Sequence, residues 1–167
     1  MPAVADAVVK NYWCWGYGQN HACTGFTPND VALFKVLSAG QIKWMLFELS
    51  SLVATVKTNT KHNLDKEALI KIIEAADIPK ITAWRAAGVK IVAAVQDPGQ
   101  VMYVPPGWMC AERCTKGVLV YGVRHSTFVR SPVCKSNFET FIGLSGVNEA
   151  QLAKLNAVAE CMDCNAA

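Results

Sequence analysis

Hydrophobic and polar positions follow a strand-like pattern in two regions of the chain. The first region, residues 31–49, holds two apolar, β-rich runs, VALFKVL and QIKWMLFEL, separated by Ser38-Ala39-Gly40. A short break that contains glycine suits a tight turn, because glycine adopts left-handed backbone angles easily. This pattern therefore predicts a β-hairpin.

The second strand-like region is residues 89–128, with the runs VKIVAAV, QVMYV, WMCAERC and VLVYGVR. Asp97-Pro98-Gly99 has the residue order of a type II turn. Pro105-Pro106-Gly107 predicts a corner, because proline has no backbone donor with which to extend a ladder. Thr115-Lys116-Gly117 separates the last two runs and predicts a second hairpin.

Helical periodicity is clearest over residues 65–76. Asp65 is a suitable N-cap, and apolar residues recur at helical spacing at Leu69, Ile72, Ile73 and Ala76. Asp77-Ile78-Pro79 is expected to end this helix. Shorter helices are predicted over residues 50–57, 81–87 and 138–144, and a longer one over residues 149–162.

Composition narrows the class of protein. Hydrophobic residues make up 52% of the 167 residues and charged residues 17%, which leaves two alternatives: a compact core, or a surface partly buried against a partner. The net charge of +3 comes from scattered basic residues, so we expect no nucleic-acid partner. No apolar run is long enough for a membrane span, and the N-terminus does not read as a secretory signal. The odd count of seven cysteines favours free thiols in a reducing compartment.

Residues 96–128, QDPGQVMYVPPGWMCAERCTKGVLVYGVRHSTF, resemble the closing strands of JmjC-type and related cupin proteins. The matching letters are Gln96, Pro98, Gly99, Val104, Pro105, Gly107 and Trp108. The chain is also similar to short cupin-like proteins of marine protist algae, which leaves a plastid-associated setting open. The resemblance implies the scaffold of a cupin barrel.

The chemistry of that family is not carried over. The resemblance implies an iron-binding histidine two residues after the tryptophan, where this chain has Cys110. It also implies an upstream H-x-D/E pair, and none of His21, His62 and His125 is followed by such a carboxylate. We therefore expect no facial triad, no cofactor and no enzymatic activity.

Together these observations predict an α+β fold in a single domain, residues 1–167. We expect a small, mostly antiparallel curved sheet, or a partial cupin-like barrel, flanked by helices. Residues 1–30 are expected to be irregular and aromatic-rich, with room for one short strand. Residues 135–167 are expected to form a helical C-terminal part.

Two groups of residues are candidates for binding. A ligand cleft in the mouth of the barrel would use Tyr103, Cys110, Glu112, Tyr121 and Arg124. Interface anchors would be Tyr12, Trp13, Trp15 and Tyr17, since tyrosine and tryptophan are enriched at interfaces. We expect no metal at Cys110, Glu112 and Cys114, because alternate positions four residues apart on a strand lie about 13 Å apart.

The resulting hypothesis is a non-catalytic structural or interaction protein, an accessory subunit of a larger protein assembly. Other protein subunits are the expected partners, with peripheral association with a membrane complex left open. The alternatives are a degenerate cupin that binds a small molecule or anion through Arg124, and an Fe(II)/2-oxoglutarate-type oxygenase with a displaced ligand set. We expect an intracellular location, with plastid and cytoplasm both open.

Overall fold

The computed structural model describes residues 12–18, 22–26, 31–59, 64–105, 107–128, 132–144 and 153. This part of the chain contains six strands and four helices. In chain order they are β1 (Tyr12–Gly18), β2 (Ala22–Phe26), β3 (Val31–Glu48), α1 (Leu49–Asn59), α2 (Lys66–Glu74), α3 (Ile78–Ala86), β4 (Ile91–Gln96), β5 (Val101–Val104), β6 (Trp108–Phe128) and α4 (Pro132–Leu144).

All six strands belong to one sheet, and every pairing in it is antiparallel. The main order is β1-β6-β3-β4; β2 also pairs with β6, and β5 also pairs with β3. Among the described strands the two ends of this order do not pair with each other, so the sheet is open. The predicted α+β class with a mostly antiparallel sheet is confirmed.

Both predicted hairpins are wrong. Ser38-Ala39-Gly40 does not reverse the chain, because β3 runs through it as one strand of 18 residues. Thr115-Lys116-Gly117 lies in the same way inside β6, a strand of 21 residues. The two breaks face each other in the register, where the pairing shifts between Leu37 and Ile42. Gly40 has φ of +86° and lies in a β-bulge. Glycine is favoured both in tight turns and in bulges, so the residue type did not distinguish the two.

The bulge changes which residues of β3 face inward. Before it, Leu33, Lys35 and Leu37 are buried; after it, the buried residues that pack with them are Ile42, Trp44 and Leu46. In a regular strand the side chains on one face are either all at odd or all at even positions. The bulge shifts the inward-facing side chains from odd positions to even positions. The two halves of β3 thereby present the same face of the sheet to a common interior.

The turn after β4 holds this bend in place. Gly99 has φ of +85°, and the Gln100 N–H donates to the Asp97 carbonyl at 3.1 Å, as a type II turn requires. The Gly99 N–H donates to the Leu37 carbonyl at 2.8 Å, which ties the turn to the bulge. The predicted turn is confirmed, and its place is at the corner of the sheet.

The helices follow the predicted order with shifted ends. The Asp65 carboxylate accepts a bond from the Ala68 N–H at 2.8 Å, so the predicted N-cap of α2 is confirmed. Asp77 does not simply end α2; its carboxylate accepts from the Lys80 N–H at 2.9 Å and caps α3. Proline is tolerated in the first turn of a helix, so Pro79 lies inside α3.

Two apolar clusters lie on opposite faces of the sheet. On one face the helices pack on Phe47 and Met109, together with Leu49, Leu52, Leu69, Trp84 and Leu144. Inside the bend lies a second cluster of Leu33, Leu37, Ile42, Trp44, Leu46, Val104, Cys110 and Cys114. Each cluster removes apolar area from water, which is the main stabilising term in folding.

The expectation for the two ends of the chain is partly corrected. Residues 1–30 are not irregular throughout, because β1 and β2 both pair with β6. Their aromatic and glycine residues lack simple alternation, which concealed the strands. In the C-terminal part, α4 confirms a helix over the predicted residues 138–144, and the predicted helix over 149–162 lies outside the described residues except for residue 153.

Candidate functional site

The interior of the bent sheet contains a buried ion pair between Lys35 and Glu112. Lys35 is 2% exposed and Glu112 9%, so both charges are removed from bulk water. The Lys35 ammonium also lies 5.0 Å from the centre of the Trp44 ring, a cation–π distance. Glu112 is the register partner of Trp44, so the pair bridges the two halves of β3.

Gln96 extends this polar network to the corner of the sheet. The Trp44 indole N–H donates to its side-chain oxygen at 3.0 Å. Its amide nitrogen donates to the carbonyls of Lys35 at 2.6 Å and Gln100 at 2.9 Å. The network therefore satisfies its own members, as buried polar groups require. An arrangement of this kind stabilises one geometry of the bend rather than presenting reactive groups.

Cys114 lies beside the ion pair and is a free, buried thiol. Burial raises the pKa of the Cys114 thiol, and the Glu112 carboxylate raises it further, while Lys35 opposes both effects. Nucleophilic cysteines have a lowered pKa instead, because the thiolate is the reactive form. The environment of Cys114 thus favours an inert, packed thiol.

The described members of the predicted cleft do not lie together. Cys110 and Glu112 are buried inside the bend, whereas Tyr103 is 43% exposed. The neighbours of Tyr103 on β5, Met102 and Val104, pack into the inner cluster, so the pleat directs Tyr103 to the outer face.

The remaining predicted site residues are placed by their backbone alone. Tyr121 pairs with Ala39 and Arg124 pairs with Lys35 in the ladder between β6 and β3. Tyr12, Trp13, Trp15 and Tyr17 lie on β1, opposite His125, Arg124, Gly122 and Val120. The side chains of these six predicted residues lie outside the described part of the structure.

Sequence reasoning missed Lys35, Trp44 and the role of Gln96. The signal for Lys35 was the run VALFKVL, in which a lysine occupies the same alternate set as two buried leucines. A lysine at that position needs a partner, since an isolated buried charge is very costly. Glu112 was noticed as a candidate ligand residue, but its partner could not be identified from the sequence.

Apolar side chains are exposed on the outer face at one edge of the sheet. Val36 and Val101 are register partners with exposed fractions of 38% and 58%. Phe34, which is half-buried, and Tyr103, which is exposed, are the next register pair, and their ring centres lie 4.9 Å apart. We call these four residues, Phe34, Val36, Val101 and Tyr103, the edge patch.

The edge patch adjoins strands that have one neighbour each. Within the described ranges, β4 and β5 pair only with β3, so the far side of each strand is an open edge. Natural proteins usually protect such edges with charged residues or proline. Neither β4, with the sequence IVAAVQ, nor β5, with VMYV, contains either kind of residue.

Two features that the described residues lack bear on function. No three His, Cys, Asp or Glu side chains in these ranges lie close enough to hold one metal ion. No helix that the structure describes is both long and apolar enough to cross a membrane.

Comparison with known proteins adds no family to this picture: neither a scan against protein-family models nor a search of curated proteins found a match to the chain.

Proposed function

We propose that this chain is a non-catalytic interaction protein, an accessory subunit that binds another protein through the open edge formed by β4 and β5. The observation that carries this proposal is the edge patch. Large apolar side chains on a sheet surface, beside uncharged edge strands, are typical of a surface that a partner covers.

The chemistry of the edge favours an extended segment as the partner's binding element. Such a segment can add to an open strand through backbone hydrogen bonds, and its alternate side chains can pack on the outer face. Here those side chains would meet Val101 and Tyr103, which are both exposed. We therefore infer a partner with an extended, apolar strand rather than a highly charged surface.

The inner network supports the non-catalytic part of the proposal. Lys35 and Glu112 pair with each other, and Gln96 pairs with Trp44 and two backbone carbonyls. General acid–base or nucleophilic groups need access to a substrate, and these groups are buried against one another.

The experiment is to measure the native size of the chain in extracts of cells that make it. The wild-type chain is expected to migrate in a complex well above its own 18.1 kDa. Val101→Lys should release the chain from this complex, because a lysine cannot be buried unpaired at an apolar interface.

Ile78→Lys is the matched control, because Ile78 is 81% exposed and belongs to α3 rather than to an edge strand. It should leave the complex intact. A wild-type chain that migrates as a monomer would overturn the proposal, as would equal release by both variants. Equal thermal stability of the two purified variants would show that misfolding is not the cause of release.

A further inference from the structure

A cavity of about 510 Å³ lies between the helices and the sheet. Its volume falls in the range of about 300–1,000 Å³ that small-molecule sites occupy. The walls come from β2, β3 and β6 on one side and from α2, α3 and their connection on the other. None of the edge patch residues lines it.

The floor of this cavity is apolar. Met45, Ala111 and Phe47 line it from the sheet, and Ile73, Ala76 and Ile81 line it from the helical side. Ala111 pairs with both Met45 and Thr24 in the ladder, so a small side chain lies between two larger ones. The space that Ala111 leaves gives an apolar body room to lie against the sheet.

Two cations lie side by side in the wall. Lys43 and Arg113 are direct register partners in β3 and β6, and both line the cavity. Like charges directly opposite each other on neighbouring strands destabilise a sheet. Both side chains are exposed, and neither forms an ion pair with any described residue. An anion bound between them would remove this repulsion.

The other charges around the cavity set the charge of the ligand. Glu74 lines the opposite wall, and no ion pair joins it to either cation. Glu112 also lines the cavity, but its carboxylate is already paired with Lys35. Among the described residues, two cations and one carboxylate without an ion pair therefore favour a ligand with a single negative charge.

We propose that this cavity binds a small amphipathic acid. Its carboxylate lies between Lys43 and Arg113, where the guanidinium accommodates both oxygens, and its apolar body lies on Met45 and Ala111. The site is separate from the edge strands, so this inference does not rest on the proposed partner.

The experiment is titration calorimetry of the full chain with three ligands of the same alkyl length, at concentrations below their aggregation. Decanoate is expected to bind about tenfold more tightly than decanol, and decylamine is expected to bind more weakly than decanol. Decanoate affinity should also fall as salt is added, because both cations are exposed. Absence of decanoate binding, or equal affinity for decanoate and decylamine, would overturn the inference.

Single substitutions then locate the carboxylate. Lys43→Gln and Arg113→Gln should each lower decanoate affinity about tenfold and leave decanol binding unchanged. Glu74→Gln should tighten decanoate binding, because it removes a like charge, and this gain is not an effect of misfolding. Lys57→Gln and Arg85→Gln are controls at exposed positions that do not line the cavity. Decanoate binding that is unaffected by both Lys43→Gln and Arg113→Gln would contradict the site.

Discussion

The Nζ atom of Lys35 lies 5.0 Å from the centre of the Trp44 ring, although both residues belong to the same 18-residue strand. A straight strand would hold them about 30 Å apart and on opposite faces. Their contact therefore requires both the bend of β3 and the shift of face at the bulge near Gly40. The bend creates the interior in which the ion pair with Glu112 forms.

Removal of one partner of this ion pair should be more damaging than removal of both. Lys35→Met leaves the Glu112 carboxylate buried without its cation, which is expected to cost about 3–5 kcal/mol in the free energy of unfolding. The double variant Lys35→Met, Glu112→Leu should be more stable than Lys35→Met alone. Urea unfolding measures both, with Lys57→Met as an exposed control. A loss below about 1 kcal/mol for Lys35→Met would contradict the buried pair.

Substitution of Gln96 is expected to lower the free energy of unfolding more than substitution of Gln41, its neighbour at the corner of the sheet. Gln96→Leu leaves the buried Trp44 indole N–H without its acceptor and should cost about 2–4 kcal/mol. Gln41 donates an exposed bond to Asp97 and accepts a part-buried bond from the Thr115 hydroxyl, and neither bond is fully buried, so Gln41→Leu should cost only about 1 kcal/mol. Denaturant unfolding compares the two variants. Equal losses would show that the inner network does not stabilise the corner.

Substitution by alanine should destabilise the protein to different extents at two glycines that have similar backbone angles. Gly107 has φ of +71°, and a Cβ atom there would lie 2.2 Å from the Asn137 Cβ on α4. Gly99 has φ of +85°, and no atom of the described residues lies within 4 Å of such a Cβ, so Gly99→Ala incurs only backbone strain, of about 1–2 kcal/mol. Gly107→Ala should cost a further 1–3 kcal/mol, roughly, because α4 must move. Thermal unfolding of both variants tests this close approach.

The raised pKa of Cys114 links stability to pH. The ordinary pKa of the thiol is 9.0, so above that pH the unfolded chain releases a proton that the folded chain retains. The unfolded state then binds fewer protons, and the free energy of unfolding falls as the pH rises. Cys114→Ala removes this contribution, so the stability difference between wild type and variant should shrink from about pH 8 to about pH 10. A difference that stays constant would mean that the folded thiol titrates normally.

The sequence predicted local features well and the long strands poorly. The Asp65 cap and the Asp97-Pro98-Gly99 turn depend on neighbouring residues, so the pattern contains the information needed. Whether Gly40 and Gly117 reverse the chain or bulge it depends on the strand alongside. In this protein the two breaks lie opposite each other, at the point where the pairing between β3 and β6 shifts its register.

The candidate sites show the same limit. The residue types of Tyr103, Cys110 and Glu112 made them candidates for one ligand cleft. The pleat of the strands instead directs Tyr103 to the outer face of the sheet and the other two side chains into the bend. The pairing of Lys43 with Arg113 depends on the register between β3 and β6. The two predicted hairpins did not include this pairing. Long-range register was therefore the missing information in both cases.

The most direct test of the proposed function is hydrogen–deuterium exchange of the native complex compared with the purified chain alone. We expect slower exchange in the complex at residues 91–96 and 101–104, the strands β4 and β5, because a partner strand would form backbone hydrogen bonds along their outer side. Exchange in α3, residues 78–86, should be unchanged. Protection of α3 without protection of β4 and β5, or no difference between the two samples, would contradict binding through this edge.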